Sequence, residues 1–429
     1  MTISKSFKYL TVIFLLLVSV YTGSAQILRI SSPYTRYGLG ELQTSHSVYS
    51  ASMGGLSNAL RNPGFINTNN PASYSSIDTN TFIFDVGINS TFTQLKTTLS
   101  TQGYINHTSL SHVLLGFPIT RWCGVSAGII PFSKTGYQVP AHDSIGPDIY
   151  VADTFTGNGG INQAYLGIAF EPFKNFSFGV NVGYLFGTIN KVRAVYLPDI
   201  DYSYNIRIKN NIKVSDIYMN YGLQYQINLK KSHIMTVGAK FNLPIHVTAR
   251  QDLLAERFTS SGSIVSVKDT LLNLDEERGT LYMPLIIGGG LTFAKKNIWM
   301  VGADFNWENW KKFKSFGKSD SIGNAYNISV GGEYTPQHNS LTSYLKRMSY
   351  RAGFHFSQSY FEVRNTKIND FSVSIGLGFP IKKTKTTLNV SMEAGSKGTT
   401  RKNLLQENYI RIILNISFRD FWFFRPKLD

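Results

Sequence analysis

Ser126 stands in Gly124-Val125-Ser126-Ala127-Gly128, the Gly-x-Ser-x-Gly spacing that presents a serine nucleophile on a sharp turn between a strand and a helix. Here apolar and small residues alternate straight through the motif, so it reads as plain strand and a chance match. The eight histidines include no His-x-x-x-His or His-Glu pair of the zinc-binding kind, and His355 fits a hydrogen-bonded wall residue better than a ligand. Asp199 and Asp201 lack the Gly and Glu that complete a calcium loop. Cys123 is the single cysteine, which rules out an internal disulfide and any thiolate cluster. No catalytic residue, metal site or cofactor is therefore expected. What remains is recognition chemistry. Arg61 carries a guanidinium able to grip a carboxylate with two hydrogen bonds, and Phe65 and Ile66 nearby offer apolar contact, so these three are the candidate substrate-binding residues. The alternative is packing, with Arg61 paired to an acid such as Asp85.

Those residues lie in a turn-rich stretch, Ser57-Asn58-Ala59-Leu60-Arg61-Asn62-Pro63-Gly64-Phe65-Ile66-Asn67-Thr68-Asn69-Asn70-Pro71-Ala72-Ser73-Tyr74. Ahead of it, residues 1–25 read as a signal peptide: Lys5 and Lys8, an apolar run, then Gly23-Ser24-Ala25 as a cleavage site. Without those lysines the formal charge of +16 becomes +14. Export argues against nucleic acid as the partner, and the dispersed cations suit a solvated rim or anionic lipid headgroups. The chain of 429 residues is 14% aromatic, 16% charged and contains 37 glycines, with a mean hydropathy of −0.09. After the signal, no apolar run approaches the roughly 20 residues of a membrane helix.

From residue 81 onward the governing pattern has a period of two. Phe82, Phe84, Val86 and Ile88 alternate with Asp85, Gly87 and Asn89, and Phe371, Val373, Ile375 and Leu377 repeat the pattern near the other end. About fourteen such segments follow one another, each close to the ~10 residues that cross an outer membrane as a tilted strand. A soluble β-sandwich alternates too, but the faces opposite the apolar ones carry Asp85, Lys240, Asp304, Arg351, Glu393 and Arg411. A water-exposed lumen tolerates that charge better than a packed core does. Short turns such as Lys174-Asn175 alternate with expected long loops over 141–157 and 250–279. Trp122, Trp299, Trp307, Tyr334, Tyr350 and Trp422 suit interfacial girdles. The fold class expected is all-β, a transmembrane antiparallel β-barrel of about 14 strands. The expected boundaries are 26–79 for an N-terminal segment, 80–420 for the barrel and 421–429 for a periplasmic C-terminal tail.

The order of these parts resembles the long-chain fatty acid transporter (FadL-type) family. The resemblance rests on the small-residue stretch around Gly54 and Gly55, the Asn70-Pro71-Ala72 motif, and the strand series behind them. It implies an N-terminal hatch inside the lumen and passive uptake of hydrophobic, fatty-acid-like molecules across the outer membrane of a Gram-negative-type bacterium. In the family, cargo leaves through a lateral opening at a kinked third strand. Pro131 and Gly136 are the candidates for that kink, since proline removes a ladder donor and glycine weakens a strand; alternatively Pro131 simply ends the strand at the membrane edge. The partners implied are outer-membrane lipid and a hydrophobic small molecule. Two other functions fit such a barrel: a non-transporting platform bound to secretion-machinery proteins, for which 250–279 is the docking surface, and a general diffusion porin.

Overall fold

Along Thr366–Pro380, Val373 is 56% exposed while its neighbour Ser374 is 1% exposed, and Phe371 and Ile375 face out as Ser372 faces in. A strand with lipid on one side and a polar interior on the other has this profile. The computed structural model describes residues 32–43, 47–98, 101–144, 150–197, 204–261, 264–320, 322–381 and 384–421. The expected signal peptide and the tail after Phe421 lie outside them.

The strands are β1 (Thr81–Lys96), β2 (Thr101–Thr120), β3 (Cys123–Ser144), β4 (Tyr150–Phe173), β5 (Phe176–Tyr196) and β6 (Asn205–Asn228). Then come β7 (His233–Asn242 continued by Ile245–Ser261), β8 (Ile264–Met283 continued by Ile286–Lys295), β9 (Trp299–Glu308) and β10 (Ala325–Tyr334). The last four are β11 (Ser349–Val363), β12 (Thr366–Pro380), β13 (Thr387–Gly398) and β14 (Gln406–Phe421). Each pairs antiparallel with the next, and β14 returns to β1 in unbroken register from Gln406↔Lys96 to Phe421↔Thr81. The result is a closed barrel of 14 strands. Among the described residues no helix is long and apolar enough to cross a membrane.

Two expected loops are strand instead. Residues 141–157 are largely the ends of β3 and β4, paired through Ser144↔Tyr150, and 250–279 is a hairpin of β7 and β8. Alternation failed to mark them because strands that project beyond the bilayer meet water on both faces and lose the apolar-out rule. The breaks at 243–244 and 284–285, each containing a proline, face one another in the ladder, since Asn242 pairs with Ile286 and Ile245 with Met283. Prolines that cannot donate to the ladder thus fall together, where the barrel wall gives way to the projecting hairpin. Trp122 and Tyr334 are exposed beside turns, as a girdle requires, whereas Trp310 is fully buried inside the barrel.

The interior is filled by the chain before β1. Short 3-10 or α turns at Pro33–Arg36, Val48–Ala51 and Pro71–Ser76 begin at Ser32, Ser47 and Asn70, whose side chains accept the free N–H groups of the first turn. Tyr34 and Leu39 join an apolar cluster with the wall residues Ile189 and Tyr218 and with Trp310 of the β9–β10 connection. Lower down, Tyr49, Met53, Leu56 and Leu60 form a second cluster, and Ile66, Tyr74 and Ile77 form a third with Leu114, Ile130 and Tyr165.

Candidate functional site

Among the described residues the wall has a long unpaired seam between β2 and β3 and a shorter unpaired stretch between β6 and β7, where the pairs stop at Val214↔Ala249 and resume at Tyr221↔Phe241. β2 and β3 pair only from Thr120↔Cys123 to Val113↔Ile129. Beyond that point β2 stays with β1 through residues 101–112, and β3 stays with β4 to its end, so two strand edges part. Pro131 stands two residues past the last β2–β3 pair, and a register shift between Pro131 and Ser133 marks a bulge at Phe132. A missing donor and an extra residue together turn a strand out of its sheet. Phe132 packs edge-on against Tyr218 across the lumen, with ring centroids 5.4 Å apart.

The freed edge of β3 is taken up from inside. Glu41 and Leu42 pair with Lys134 and Ser133, the N–H of Gln43 donates to the Phe132 carbonyl at 3.0 Å, and the N–H of Ser32 donates to the Gly136 carbonyl at 3.0 Å. Gly136 in turn donates its N–H to Thr35 Oγ1 at 3.1 Å. The backbone groups that β2 abandons are thus satisfied by the lumen segment, which an edge facing a membrane interior demands. Across the seam, Lys134 Nζ donates to Ser109 Oγ at 2.6 Å.

The motif residues fasten the segment. Asn70 Oδ1 accepts from the Ala72 N–H at 3.2 Å, and Asn70 Nδ2 donates to the carbonyls of Asn58 (2.5 Å), Leu223 and Ala239 (both 3.2 Å), bridging the segment to β6 and β7. Pro71 opens the short helix where no N–H is needed, and Ala72 is fully buried. Gly54 and Gly55 adopt φ of +69° and +87°, and a Cβ on Gly54 would lie 2.4 Å from the Phe354 carbonyl oxygen of β11. Only glycine permits both the left-handed turn and that approach.

Arg61, Phe65 and Ile66 lie at the barrel end that carries the short turns, and each is engaged. Arg61 Nη2 meets Glu171 Oε2 at 3.0 Å, and its Nη1 donates to Ser177 Oγ at 2.9 Å and the Ala72 carbonyl at 3.3 Å. Burial lowers the Arg61 guanidinium from its ordinary pKa and Glu171 opposes the shift, so it stays charged. Its acid is Glu171, not Asp85, which sits 3.1 Å from His112 Nε2 in a fully buried pair. Phe65 stacks on Tyr49 at 4.1 Å with the Arg351 guanidinium 4.5 Å above the Tyr49 ring, and Ile66 is 1% exposed in its cluster. Asp304 on β9 went unnoticed as a site residue: its Oδ2 accepts the N–H groups of Ser57 (2.6 Å) and Asn58 (2.7 Å). Only its placement on a polar face hinted at this.

Behind the seam the space is subdivided. A cavity of about 100 Å³ lies inside the β3 bend, with Leu42, Ile130, Phe132, Tyr218, Ile286 and Trp310 on its apolar side. Another of about 150 Å³ has a mixed lining, with Leu42, Phe361 and Ile413 beside Glu41, Lys397, Glu393 and Arg411, which pair as Lys397–Glu41 (2.9 Å) and Arg411–Glu393 (3.2 Å). Ser126, the expected chance match, hydrogen-bonds the Tyr165 hydroxyl at 2.8 Å within straight strand. No group of three or more metal-ligating side chains occurs among the described residues.

The fold is a closed 14-strand antiparallel β-barrel with its lumen occupied by the N-terminal segment and with β2 and β3 parted over much of their length. The chain belongs to the BamG family, whose model matches residues 6–429. Among solved structures it resembles the CymD monoaromatic hydrocarbon channel, at 14% identity over 90% of this chain and 99% of that one, with a TM-score of 0.57. The P. putida toluene transporter TodX (14% identity, 89% and 100% covered, TM-score 0.57) and the Ralstonia pickettii toluene transporter TbuX (14%, 88% and 98%, 0.55) are similar to the same degree. At that identity the likeness is one of fold. No curated protein matches in sequence.

Proposed function

We propose that the barrel admits small hydrophobic molecules to the outer membrane passively, through the β2–β3 seam, with residues 32–76 acting as the hatch that closes the lumen to water and ions. The observation that carries this reading is the seam itself. Residues 101–112 and 130–144 present parted edges, and the bend at Phe132 sets a part-apolar cavity directly behind them. Parting two strands in a bilayer is costly, and here the lumen segment pairs with the freed β3 edge to keep them apart, which supports a use for the gap. The TodX and TbuX structures, described as toluene transporters, support cargo of this class. A cavity of about 100 Å³, apolar at Leu42, Ile130, Phe132, Tyr218, Ile286 and Trp310 and polar elsewhere, suits a compact molecule better than an extended acyl chain. Arg61, Phe65 and Ile66 act in this reading as fasteners of the hatch rather than as ligand contacts.

Uptake of radiolabelled toluene and of laurate, measured in cells with and without the chain, tests the proposal. Toluene uptake that depends on the chain and falls severalfold in Phe132→Trp, which fills the cavity, is expected. Uptake indifferent to deletion of the chain would sink it. A second reading, a platform for secretion-machinery proteins, draws on the projecting hairpin, where Val265, Val267, Leu271 and Leu272 are exposed on a strand whose outer edge is unpaired over 264–279. Such an edge invites a partner strand. Co-purification with those proteins together with unchanged uptake on deletion would favour it.

A further inference from the structure

At the end opposite the seam, the short turns surround a vestibule of about 740 Å³. Its lining is charged, and the charge does not balance. Arg61, Arg351 and Arg419 are each tied to an acid, Glu171, Glu333 and Asp78 respectively. Those three are the only acids among the described residues of the lining. Lys295, Lys296, Arg347 and Lys385 also face it, and among the described residues none of the four has a carboxylate within 4.0 Å. Arg347 carries a second mark of an absent partner: its Nε is shielded from solvent and makes no hydrogen bond. The Arg347 guanidinium stands over the Tyr344 ring, its Cζ 5.2 Å from the centroid, with no described carboxylate beside it to balance its charge.

The surplus cations come from three separate turns. Lys295 and Lys296 belong to the β8–β9 turn, Arg347 to the β10–β11 connection, and Lys385 to the β12–β13 turn. Phe65, Trp299, Met300 and Pro380 supply apolar surface between them. Cations distributed in this way, with aromatic and aliphatic patches interleaved, suit an extended chain bearing acids at intervals. The vestibule is bordered by the short turns and the lumen segment, with Trp299 at its edge. The residues after Phe421, Trp422-Phe423-Phe424-Arg425-Pro426-Lys427-Leu428-Asp429, carry a single acidic side chain beside Arg425 and Lys427 and lack acids at intervals. We propose that the vestibule docks an acidic, extended polypeptide segment of a periplasmic partner protein. This rests on neither functional reading above, because it uses the end of the barrel remote from the seam.

The experiment uses the purified full-length mature barrel in nanodiscs and a fluorescent peptide in which Asp and Glu alternate with Leu. Its amide counterpart, with Asn and Gln, is the control. Binding of the acidic peptide is expected to weaken about tenfold between about 50 and 300 mM salt, because exposed charges are screened over roughly 10 Å at 0.1 M. It is expected to weaken about tenfold again in K295E/K296E and severalfold in Arg347→Ala, with heat-modifiable gel mobility reporting that each barrel is folded. Equal binding of the amide peptide, or unchanged affinity in both variants, overturns the proposal. Displacement of the peptide by micromolar inorganic phosphate or laurate overturns it in favour of a small-anion site, and binding to phosphatidylglycerol vesicles that the same variants abolish overturns it in favour of lipid.

Discussion

Asp304 shows how one side chain seats a whole segment. Its carboxylate is 4% exposed and takes two backbone N–H groups from Ser57 and Asn58, while Asn58 Nδ2 reaches the Gly289 carbonyl and Asn306 Oδ1, both at 3.0 Å. Hydrogen bonds to a charged acceptor contribute about 1.5–3 kcal/mol each, and donors left unmet inside the barrel lose that and more. Asp304→Ala is therefore expected to loosen residues 47–76 by about 3 kcal/mol, read as roughly hundredfold faster amide hydrogen exchange there with exchange in β12 and β13 unchanged. Uniform loosening of the barrel would show Asp304 to be part of the wall's own stability instead. The Arg61 result belongs at this scale too. A guanidinium in a polar segment advertises a carboxylate partner in the sequence, but the partner proved to be Glu171 of β4 at 3.0 Å, already in place.

At the scale of the strand, β3 is where sequence and structure meet most closely. Pro131 was visible as a defect, and the last β2–β3 pair does fall two residues before it. What the residue order did not reveal is which neighbour is lost. The β4 side stays paired to Ser144↔Tyr150, and the β2 side is the one that opens. Pro131→Ala restores a donor without changing the lumen segment. Longer β2–β3 pairing is expected, seen as new amide protection over 101–112 and a severalfold fall in toluene uptake. If protection over 101–112 stays as it was, the bend is held by Glu41, Leu42 and Gln43 on the β3 edge rather than by the proline.

For the molecule as a whole, the question is whether the wall stands without its contents. All 14 strands close through direct pairing, and the lumen segment adds contacts to that wall without supplying any of its ring-closing pairs. Deleting residues 26–74 should leave a heat-modifiable, folded barrel whose planar-bilayer conductance is much higher than that of the full chain. An unchanged conductance would remove the hatch from this account and return the general diffusion pore to consideration. The net positive charge also finds a place at this scale. Arg121, Lys174, Lys230, Lys295, Lys296, Lys346 and Arg347 all lie on the turns of one rim, which is why they looked dispersed in the chain.

The sequence by itself determined the wall. Lipid outside and a polar interior inside impose a period of two on every crossing strand, so Phe371, Val373 and Ile375 against Ser372 and Ser374 could be read without coordinates. It also marked the turn-rich segment and the proline in β3. Only the tertiary structure decided where these parts meet. That Asp304 holds Asn58, that Asn70 spans β6 and β7, and that Glu41 and Leu42 replace β2 on the edge of β3 are contacts between residues far apart in the chain. Periodicity records which face a residue occupies, whereas hydrogen bonds across a lumen depend on which strands closure brings opposite one another.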